Sequence, residues 1–309
     1  MSGIILKQTF IMLLLMLVGV LCYKAKIISS TSNKELSKFV LQVVNPVMIF
    51  MSYQTEIHAD LVKNLLITFG LSVISFIITI IAVCILIRKK KGRETEIERF
   101  SAIYSNCAFM GMPLANAMFG MEGVFYLTAF ITIFNLFVWT HGIVLLTGEK
   151  DFRQIIKVFY SPTIIAIFLG LIAFFTQIKL PELPANVLGY ISSLNTPLAM
   201  VVSGISMAET DVFKMIKKPD VYRVCLIKLI ILPVILSVLL VFLPVDEKVR
   251  LIVLVAASAP PAATCTLQCL RYGKNYLYSS EIFTSGTILS IITLPVIVKL
   301  TELLTKIIN

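Results

Sequence analysis

The stretch Ser105-Asn-Cys-Ala-Phe-Met-Gly-Met-Pro-Leu-Ala-Asn-Ala-Met-Phe-Gly120 decides the fold. It is apolar enough for a helix, but Pro113 has no amide hydrogen and clashes with the carbonyl one turn earlier. Met112 is pushed away from helical torsions by the proline that follows it, and Gly111 adds conformational freedom. The stretch therefore predicts a helix that is broken in its middle.

A second apolar stretch, Ser258-Ala-Pro-Pro-Ala-Ala-Thr-Cys265, repeats this pattern in the other half of the chain. In a membrane, irregular backbone is tolerated only where protein or a water-filled cavity satisfies its polar groups. Two interrupted helices, one in each half, are typical of secondary transporters. The alternative is that the prolines only kink two helices for packing, but the matched positions favour a binding site.

The composition indicates an integral membrane protein. The chain has 309 residues, of which 58% are hydrophobic and 14% charged, and its mean hydropathy is +0.94. Soluble domains carry about 25% charged residues. A membrane-spanning helix needs about 20 apolar residues, so the chain has room for about ten. We predict an all-α membrane protein with transmembrane helices at 4–23, 34–54, 61–87, 100–119, 122–147, 159–178, 187–208, 221–243, 250–271 and 276–305.

The basic residues predict how these helices are oriented. Of the 27 Lys and Arg residues, 19 fall in the connections after the odd-numbered helices and seven on the opposite side. Because positively charged loops stay in the cytoplasm, we place both termini outside the cell membrane. Orientation in the lipid bilayer thus accounts for the net charge of +10, and we expect no nucleic-acid partner.

A faint internal repeat divides the chain into halves at 1–150 and 151–309. Three features recur at an offset of 151 positions: Pro46 as Pro197, Asp60–Lys63 as Asp211–Lys214, and Arg99 as Arg250. Since each half holds an odd number of helices, the two repeats have to be inverted in the membrane. Coincidence among common residues is the alternative, which the matching interruptions disfavour.

The interruptions predict a binding site near the middle of the membrane. Pro113 lies about 21 Å along its helix, and Pro261 lies about 16 Å along its own. The two helices enter the hydrocarbon core, about 30 Å thick, from opposite faces, so both prolines lie near its middle. The second half-helices, beginning at Leu114–Ala117 and Ala262–Cys265, would then direct unpaired amides at one another. Such helix N-termini suit a carboxylate or another small organic anion.

Polar and small residues near the prolines complete this candidate site. In an apolar helix Asn106 needs a partner, which is either a neighbouring helix or the ligand. Asn45 and Asn195 form a matched pair that either lines the cavity from the other side or repairs kinked backbone. The predicted substrate-binding residues are Asn45, Asn106, Gly111, Met112, Pro113, Leu114, Asn195, Ser258, Pro260, Pro261, Ala262 and Thr264.

Ionisable groups inside the predicted helices are few. Glu281 is the candidate for proton coupling, although its position near Lys274 would let it reach cytoplasmic water. Lys228 is expected to extend to the same interface. Cys265 and Cys269 share a helix face without a nearby histidine, which favours packing over a metal site. Since no catalytic or nucleotide-binding motif is present, we predict no cofactor, no metal and no enzymatic activity.

The sequence around the first interruption resembles a known family. Asn106-Cys-Ala-Phe-Met-Gly-Met-Pro-Leu114, followed by Met118-Phe-Gly120, is similar to the fourth-helix motif of the auxin efflux carriers, which include the plant PIN carriers. Asn195–Gly204 resembles the seventh helix of that family, and Ala259–Ala263 its ninth. The likeness covers the chain in helix order, and the short connection 148–158 resembles that of the compact bacterial members.

The resemblance implies two inverted five-helix repeats in which helices 4 and 9 cross at their breaks. Helices 1, 2, 6 and 7 would form a scaffold that dimerises through helices 2 and 7, and the other six a moving transport unit. It implies elevator-type transport of an organic anion such as malonate, malate or an auxin-like acid, with Asn106, Pro113 and Pro261 at the substrate. Two alternatives stay open: a sodium-coupled symporter of related fold, and a receptor or enzyme that transports nothing.

Overall fold

The computed structural model describes residues 1–90, 92–148, 159–210 and 218–308. Within these ranges all regular secondary structure is helical, apart from one isolated antiparallel bridge. Six helices are long and apolar enough to cross a membrane, and a further apolar helix, Pro162–Thr176, is shorter. The all-α prediction is therefore confirmed for the described part of the chain.

Adjoining helices combine into ten segments in the described residues, two of them interrupted. They are α1 (Ser2–Lys24), α2 (30–52), α3 (Ala59–Leu86), α4a (Thr95–Ile103), α4b (107–119), α5 (121–147), α6 (Pro162–Thr176), α7 (182–208), α8 (219–241), α9a (Glu247–Ser258), α9b (Ala263–Arg271) and α10 (Tyr276–Ile308). Gly120, with φ 61° and ψ −148°, separates α4b from α5. The starts of α4a and α7 lie five residues before the predicted ones, since Glu96 and Glu182 in their first turns favour a helix N-terminus.

Three of the prolines that lie inside helices of the described residues lie two residues after a π turn. In α4b the π turn Cys107–Gly111 lets the amide of Met112 donate to the carbonyl of Cys107, five residues back. Proline lacks the amide for an ordinary helical bond, and the extra residue in the π turn accommodates that loss, so the helix continues through Pro113. The same device occurs in α2 and α8, with π turns Val40–Val44 before Pro46 and Ile227–Ile231 before Pro233.

The predicted break at Gly111–Pro113 is therefore wrong. Gly111 has helical torsions (φ −68°, ψ −43°), and Pro113 is the second residue of a regular α-helix. The interruption lies earlier in the chain, between Ile103 and Cys107. The second half of this helix accordingly begins at Cys107 and not at Leu114–Ala117.

Close contacts at glycines join α1 to α7 and α2 to α6. A Cβ atom on Gly204 of α7 would lie 2.0 Å from the carbonyl oxygen of Met16 in α1. A Cβ atom on Gly170 of α6 would lie 2.4 Å from the ring of Tyr53 at the end of α2. Small residues allow helices in a membrane to approach this closely. Since α2 also packs against α7, these four helices form one group.

Two arginines hold corresponding places at the starts of the interrupted helices. Arg99 Nε in α4a donates to the carbonyl of Ile87, just beyond α3, at 2.8 Å. Arg250 in α9a donates to the carbonyl of Leu243, just beyond α8, at 3.0 Å. Each arginine thus ties an interrupted helix to the helix before it. The repeated Asp-x-x-Lys motif at 211–214 lies outside the described residues, as does most of the connection 148–158.

The connections α2–α3 and α6–α7 meet at one end of the molecule. Lys179 Nζ lies 3.1 Å from the Glu56 carboxylate, and the amide of Leu180 donates to Gln54 Oε1 at 2.9 Å. The hydrogen bond and the charge of Lys179 hold the pKa of Glu56 below its ordinary value. These contacts link the ends of α2 and α6.

Candidate functional site

Both interrupted helices change to extended backbone for a few residues. In α4 the change begins at Tyr104 (φ −92°, ψ 119°), directly after α4a. In α9 it begins at Ala259 (φ −56°, ψ 151°) and ends at Ala262 (φ −72°, ψ 135°), where α9b starts. Residues 104–106 and 259–262 are called the crossover below.

The two halves of the crossover pair through their backbones. The amide of Asn106 donates to the carbonyl of Pro260 at 2.7 Å, and the amide of Ala262 donates to the carbonyl of Tyr104 at 3.0 Å. The resulting antiparallel bridge joins Ser105 and Pro261. Each interruption thus satisfies polar groups that the other one frees, which is the condition for irregular backbone at membrane depth. Each half of the chain thus holds one interruption, the second where the sequence predicts it and the first several residues earlier, and the two lie in direct contact.

Both prolines of the second interruption take part in the crossover. Pro260 supplies the carbonyl that accepts from Asn106, and Pro261 packs against Gly286 of α10. A Cβ atom on Gly286 would lie only 2.4 Å from Cδ of Pro261. α10 therefore needs a glycine at the level of the crossover.

Three polar side chains at or next to the crossover have no hydrogen-bond partner among the residues that the structure describes. They are the hydroxyls of Ser105 and Ser258 and the Nδ2 amide group of Asn106. All three residues are buried, and Asn106 is 5% exposed. An unpaired buried donor costs free energy, so native proteins rarely keep one without a function or a ligand. These groups are available to bind a ligand.

Lys228 of α8 lies next to the crossover, and its residue is 1% exposed. Its ammonium donates to the carbonyl of Ile103, the last residue of α4a, at 3.3 Å and to that of Ala257, near the end of α9a, at 3.2 Å. Helix C-termini carry partial negative charge, so one cation stabilises the ends of both first half-helices. The prediction that Lys228 extends to the membrane interface is wrong because these carbonyls hold its side chain inside.

A small cavity next to the crossover is lined in part by hydroxyl groups. Its volume is about 10 Å³, room for about one water molecule. Ser75 and Thr79 of α3 line it together with Ser105. They belong to a buried polar stripe at helical spacing on α3, formed by Thr68, Ser72, Ser75 and Thr79.

The predicted pair Asn45 and Asn195 lies between α2, α7 and α4b. Asn195 Nδ2 donates to Asn45 Oδ1 at 2.7 Å and lies 3.8 Å from Sδ of Met112. Both residues are buried, and Asn195 Oδ1 has no partner within the described ranges. The bond joins two side chains and does not repair kinked backbone. The pair thus contacts α4b one residue before Pro113.

The other predicted residues fall into two groups. Pro260, Pro261 and Ala262 belong to the crossover, and Thr264 is half-buried in the first turn of α9b. Gly111, Pro113 and Leu114 lie inside α4b and not in the interruption.

Glu281, the candidate for proton coupling, is held in an ion pair. Both of its carboxylate oxygens accept from Lys218 Nζ at 2.7 Å, and the residue is 7% exposed. Nearby, the buried carboxylate of Glu98 in α4a accepts from Arg223 at 2.6 Å and from the hydroxyl of Tyr278 at 3.1 Å. These contacts join α4a, α8 and α10 at one end of the bundle.

A comparison with known proteins shows the family to which the chain belongs. A family model described as membrane transport protein, that of the auxin efflux carriers, matches residues 4–155 and again residues 150–298. The chain belongs to the auxin efflux carrier family. It is also similar to an uncharacterized transporter of Methanothermobacter thermautotrophicus, with 26% identity over 298 residues, which cover 92% of this chain and 94% of that protein. The resemblance drawn from the sequence is thus confirmed, and the several apolar helices fit a multi-pass membrane protein.

Sequence reasoning missed three features of this member of the family. The polar stripe on α3 was readable from its spacing, because residues 68, 72, 75 and 79 fall on one helix face. Gly286, which sits in a long apolar helix, gave only a weak signal. The partners of Lys228 could not be read at all, since its two carbonyls come together only when the crossover forms.

Proposed function

We propose that this protein is a secondary transporter or facilitator that moves a small organic anion across the membrane. The crossover carries the proposal: two interrupted helices paired through their backbones, with the unpartnered Asn106 Nδ2 and two serine hydroxyls beside them. These groups donate hydrogen bonds, so they suit a carboxylate such as malonate or malate, or an auxin-like acid.

The electrostatics of the site favour a negative ligand. α4b and α9b both begin at the crossover, and helix N-termini carry partial positive charge. Lys228 adds a buried positive charge that no acidic side chain neutralises within the described ranges. The helix N-termini and the Lys228 ammonium would therefore both stabilise a bound anion, without a dedicated arginine.

The arrangement supports movement of one group of helices against another. α1, α2, α6 and α7 form the scaffold, and α3–α5 and α8–α10 form the transport unit that carries the crossover. The pair Asn45 and Asn195 belongs to the scaffold and faces the transport unit at Met112. In an elevator-type mechanism this pair would contact the substrate from the scaffold side.

The transport unit and the scaffold would arise from two inverted repeats, at 1–150 and 151–309. The matching roles of Arg99 and Arg250 support this assignment. The first half of α7, Glu182–Ser193, has no buried residue and is available for a second copy of the chain. We therefore keep the proposal of a homodimer through α2 and α7, with both termini outside the cell.

The position of Lys228 bears on the coupling ion. The alternative of a sodium-coupled symporter needs carbonyl oxygens that are free to bind Na⁺ near the interrupted helices. The carbonyls of Ile103 and Ala257 are instead occupied by the lysine ammonium. We therefore expect transport without sodium. Glu281 stays the candidate for proton coupling, with Lys218 as the partner that its protonation would release.

The proposal is tested with purified protein and a panel of carboxylates that includes malonate and malate. Thermal-shift measurements identify ligands, and uptake into proteoliposomes with and without Na⁺ shows transport and its coupling. We expect at least one carboxylate to raise the melting temperature and Asn106→Ala to abolish most of that rise.

Asn135→Ala is the matched control, because the amide of Asn135 donates only to the carbonyl of Ile131 in its own helix α5. This variant should respond to the ligand like the parent protein. Equal stabilisation of parent and Asn106→Ala would remove Asn106 from the site. Absence of uptake for the whole panel would contradict the proposed function.

A further inference from the structure

Tyr104 connects the crossover to α5. Its backbone carbonyl accepts the hydrogen bond from Ala262 that closes one side of the crossover. Its side-chain hydroxyl donates to the carbonyl of Phe137 at 2.9 Å and lies 2.8 Å from Nδ1 of His141. Because the single hydroxyl proton goes to Phe137, His141 has to donate its Nδ1 hydrogen to the Tyr104 oxygen. The hydroxyl thus uses both of its hydrogen-bonding functions on α5.

The α5 residues involved belong to a π turn, Val138–Gly142, which no proline follows. The other three π turns of the described residues each precede a proline and so have a local reason. π turns without such a reason are frequent at functional sites, because they redirect side chains. This one contains His141 and directly follows Phe137, the two residues that hold the Tyr104 hydroxyl.

The ring of Tyr104 is fixed by packing on all sides. The residue is fully buried, and its ring lies 4.5 Å from that of Phe100 and 6.1 Å from those of Phe76 and Phe134, between centroids. Gly142 brings the α5 backbone against this ring, since a Cβ atom there would lie 3.1 Å from Cε2 of Tyr104. This packing, together with the two hydrogen bonds of the hydroxyl, restricts where the backbone of Tyr104 can lie.

We propose that Tyr104 and His141 are positioning residues of the anion site: α5 sets the register of the crossover through them. His141 holds the Tyr104 hydroxyl, the fixed ring holds the Tyr104 carbonyl, and that carbonyl holds Ala262 at the start of α9b. Asn106, two residues after Tyr104, is thereby held against the carbonyl of Pro260. The effect of Tyr104 and His141 on the backbone bonds of the crossover does not depend on the proposed function. Their effect on anion binding rests on that function.

Amide hydrogen exchange of the full-length protein tests the pairing without any substrate. Removing a hydrogen-bonded group from a buried network loosens the contacts that depend on it, so we expect Tyr104→Phe and His141→Leu to speed exchange at Ala262 and Asn106 roughly tenfold. His141→Asn keeps a donor near the Nδ1 position and should restore most of the protection. Tyr126→Phe is the matched control, because the hydroxyl of Tyr126 bonds Glu122 near the start of α5, about four helical turns from His141, so its loss should leave both amides unchanged.

The outcomes separate this inference from the proposed function. Unchanged exchange at Ala262 in both Tyr104→Phe and His141→Leu would overturn the inference, whatever the protein transports. Faster exchange at every amide, including those of α1 and α7, would mean that the two residues only stabilise the protein as a whole. That result would overturn the inference as well. For a carboxylate that the parent protein transports, the same variants should raise KM about tenfold and change the maximal rate less.

Discussion

Lys228 shows, at the scale of a single residue, how a charge can be buried in a membrane protein without a carboxylate. Its ammonium lies between the carbonyls of Ile103 and Ala257, which end the first halves of two interrupted helices. Neither carbonyl accepts a regular helical hydrogen bond, because the helix ends just after it. After Ala257, the prolines that follow also lack the amide hydrogens that such a bond needs. The side chain therefore supplies donors where the backbone cannot.

The residue-scale prediction concerns Lys228→Met, which keeps the length of the side chain and removes the charge. Leaving two buried acceptors unpaired should lower the free energy of unfolding by about 1–3 kcal/mol. Lys63→Met is the control, since Lys63 is exposed on α3 and should change stability by less than about 0.5 kcal/mol. Thermal and denaturant unfolding in detergent measure both. A Lys228→Met variant as stable as the parent would mean that burying the charge costs as much as its bonds contribute.

At the scale of elements, a π turn lets a helix continue through a proline, although it is not required, since Pro295 lies inside α10 without one. Pro46, Pro113 and Pro233 each follow a π turn and lie in continuous helices. Pro260 and Pro261 have no such turn before them, and there the helix opens. Two adjacent prolines remove two amides at once, which one extra residue in a turn cannot accommodate.

The π turn before Pro113 and the close contact at Gly286 predict losses of stability of different size for two substitutions. Pro113→Ala should lower stability by only about 0.4–1 kcal/mol, through the greater freedom of the unfolded chain. Gly286→Ala should destabilise the protein by about 1–3 kcal/mol and reduce transport, because the new Cβ atom collides with Pro261. Gly70→Ala, in open space on α3, should be neutral or slightly stabilising. Melting temperatures of the three variants check the order, and a Pro113→Ala variant less stable than Gly286→Ala would contradict it.

The two interruptions also show how much of the fold the sequence could predict. Hydropathy and proline positions predicted an all-α membrane protein and the existence of two interruptions, because both follow from local chemistry. The place of the first interruption was not predictable in this way. Tyr104 opens the helix because Ala262 and Pro260, more than 150 residues away, supply partners for its backbone and that of Asn106. Tertiary contacts of this kind decide which of several weak points in a helix actually opens.

At the scale of the whole molecule, the distribution of charge predicts the orientation in the membrane. Glu56 and Lys179 lie together at the end of the bundle that the basic residues place outside, and Lys89 lies in the basic connection after α3. Both of the first two are exposed, so they are suitable positions for labelling.

Single cysteines introduced into a variant without the six native ones test this orientation. Glu56→Cys and Lys179→Cys should react with a membrane-impermeant maleimide added to intact cells, and Lys89→Cys only after the cells are permeabilised. As the control for folding, the cysteine-free variant should still transport or should keep the melting temperature of the parent protein. The reverse labelling pattern would place both termini in the cytoplasm.

The crossover also constrains the order in which this chain matures during synthesis. When the ribosome has finished α4b, the open backbone at Tyr104 and Asn106 has no partner, because residues 260–262 have not yet been made. Bare amides and carbonyls cannot stay in contact with lipid. The nascent first half therefore has to wait in a hydrated or chaperoned environment until α9 arrives, and truncation before Pro260 should send it to quality-control proteases.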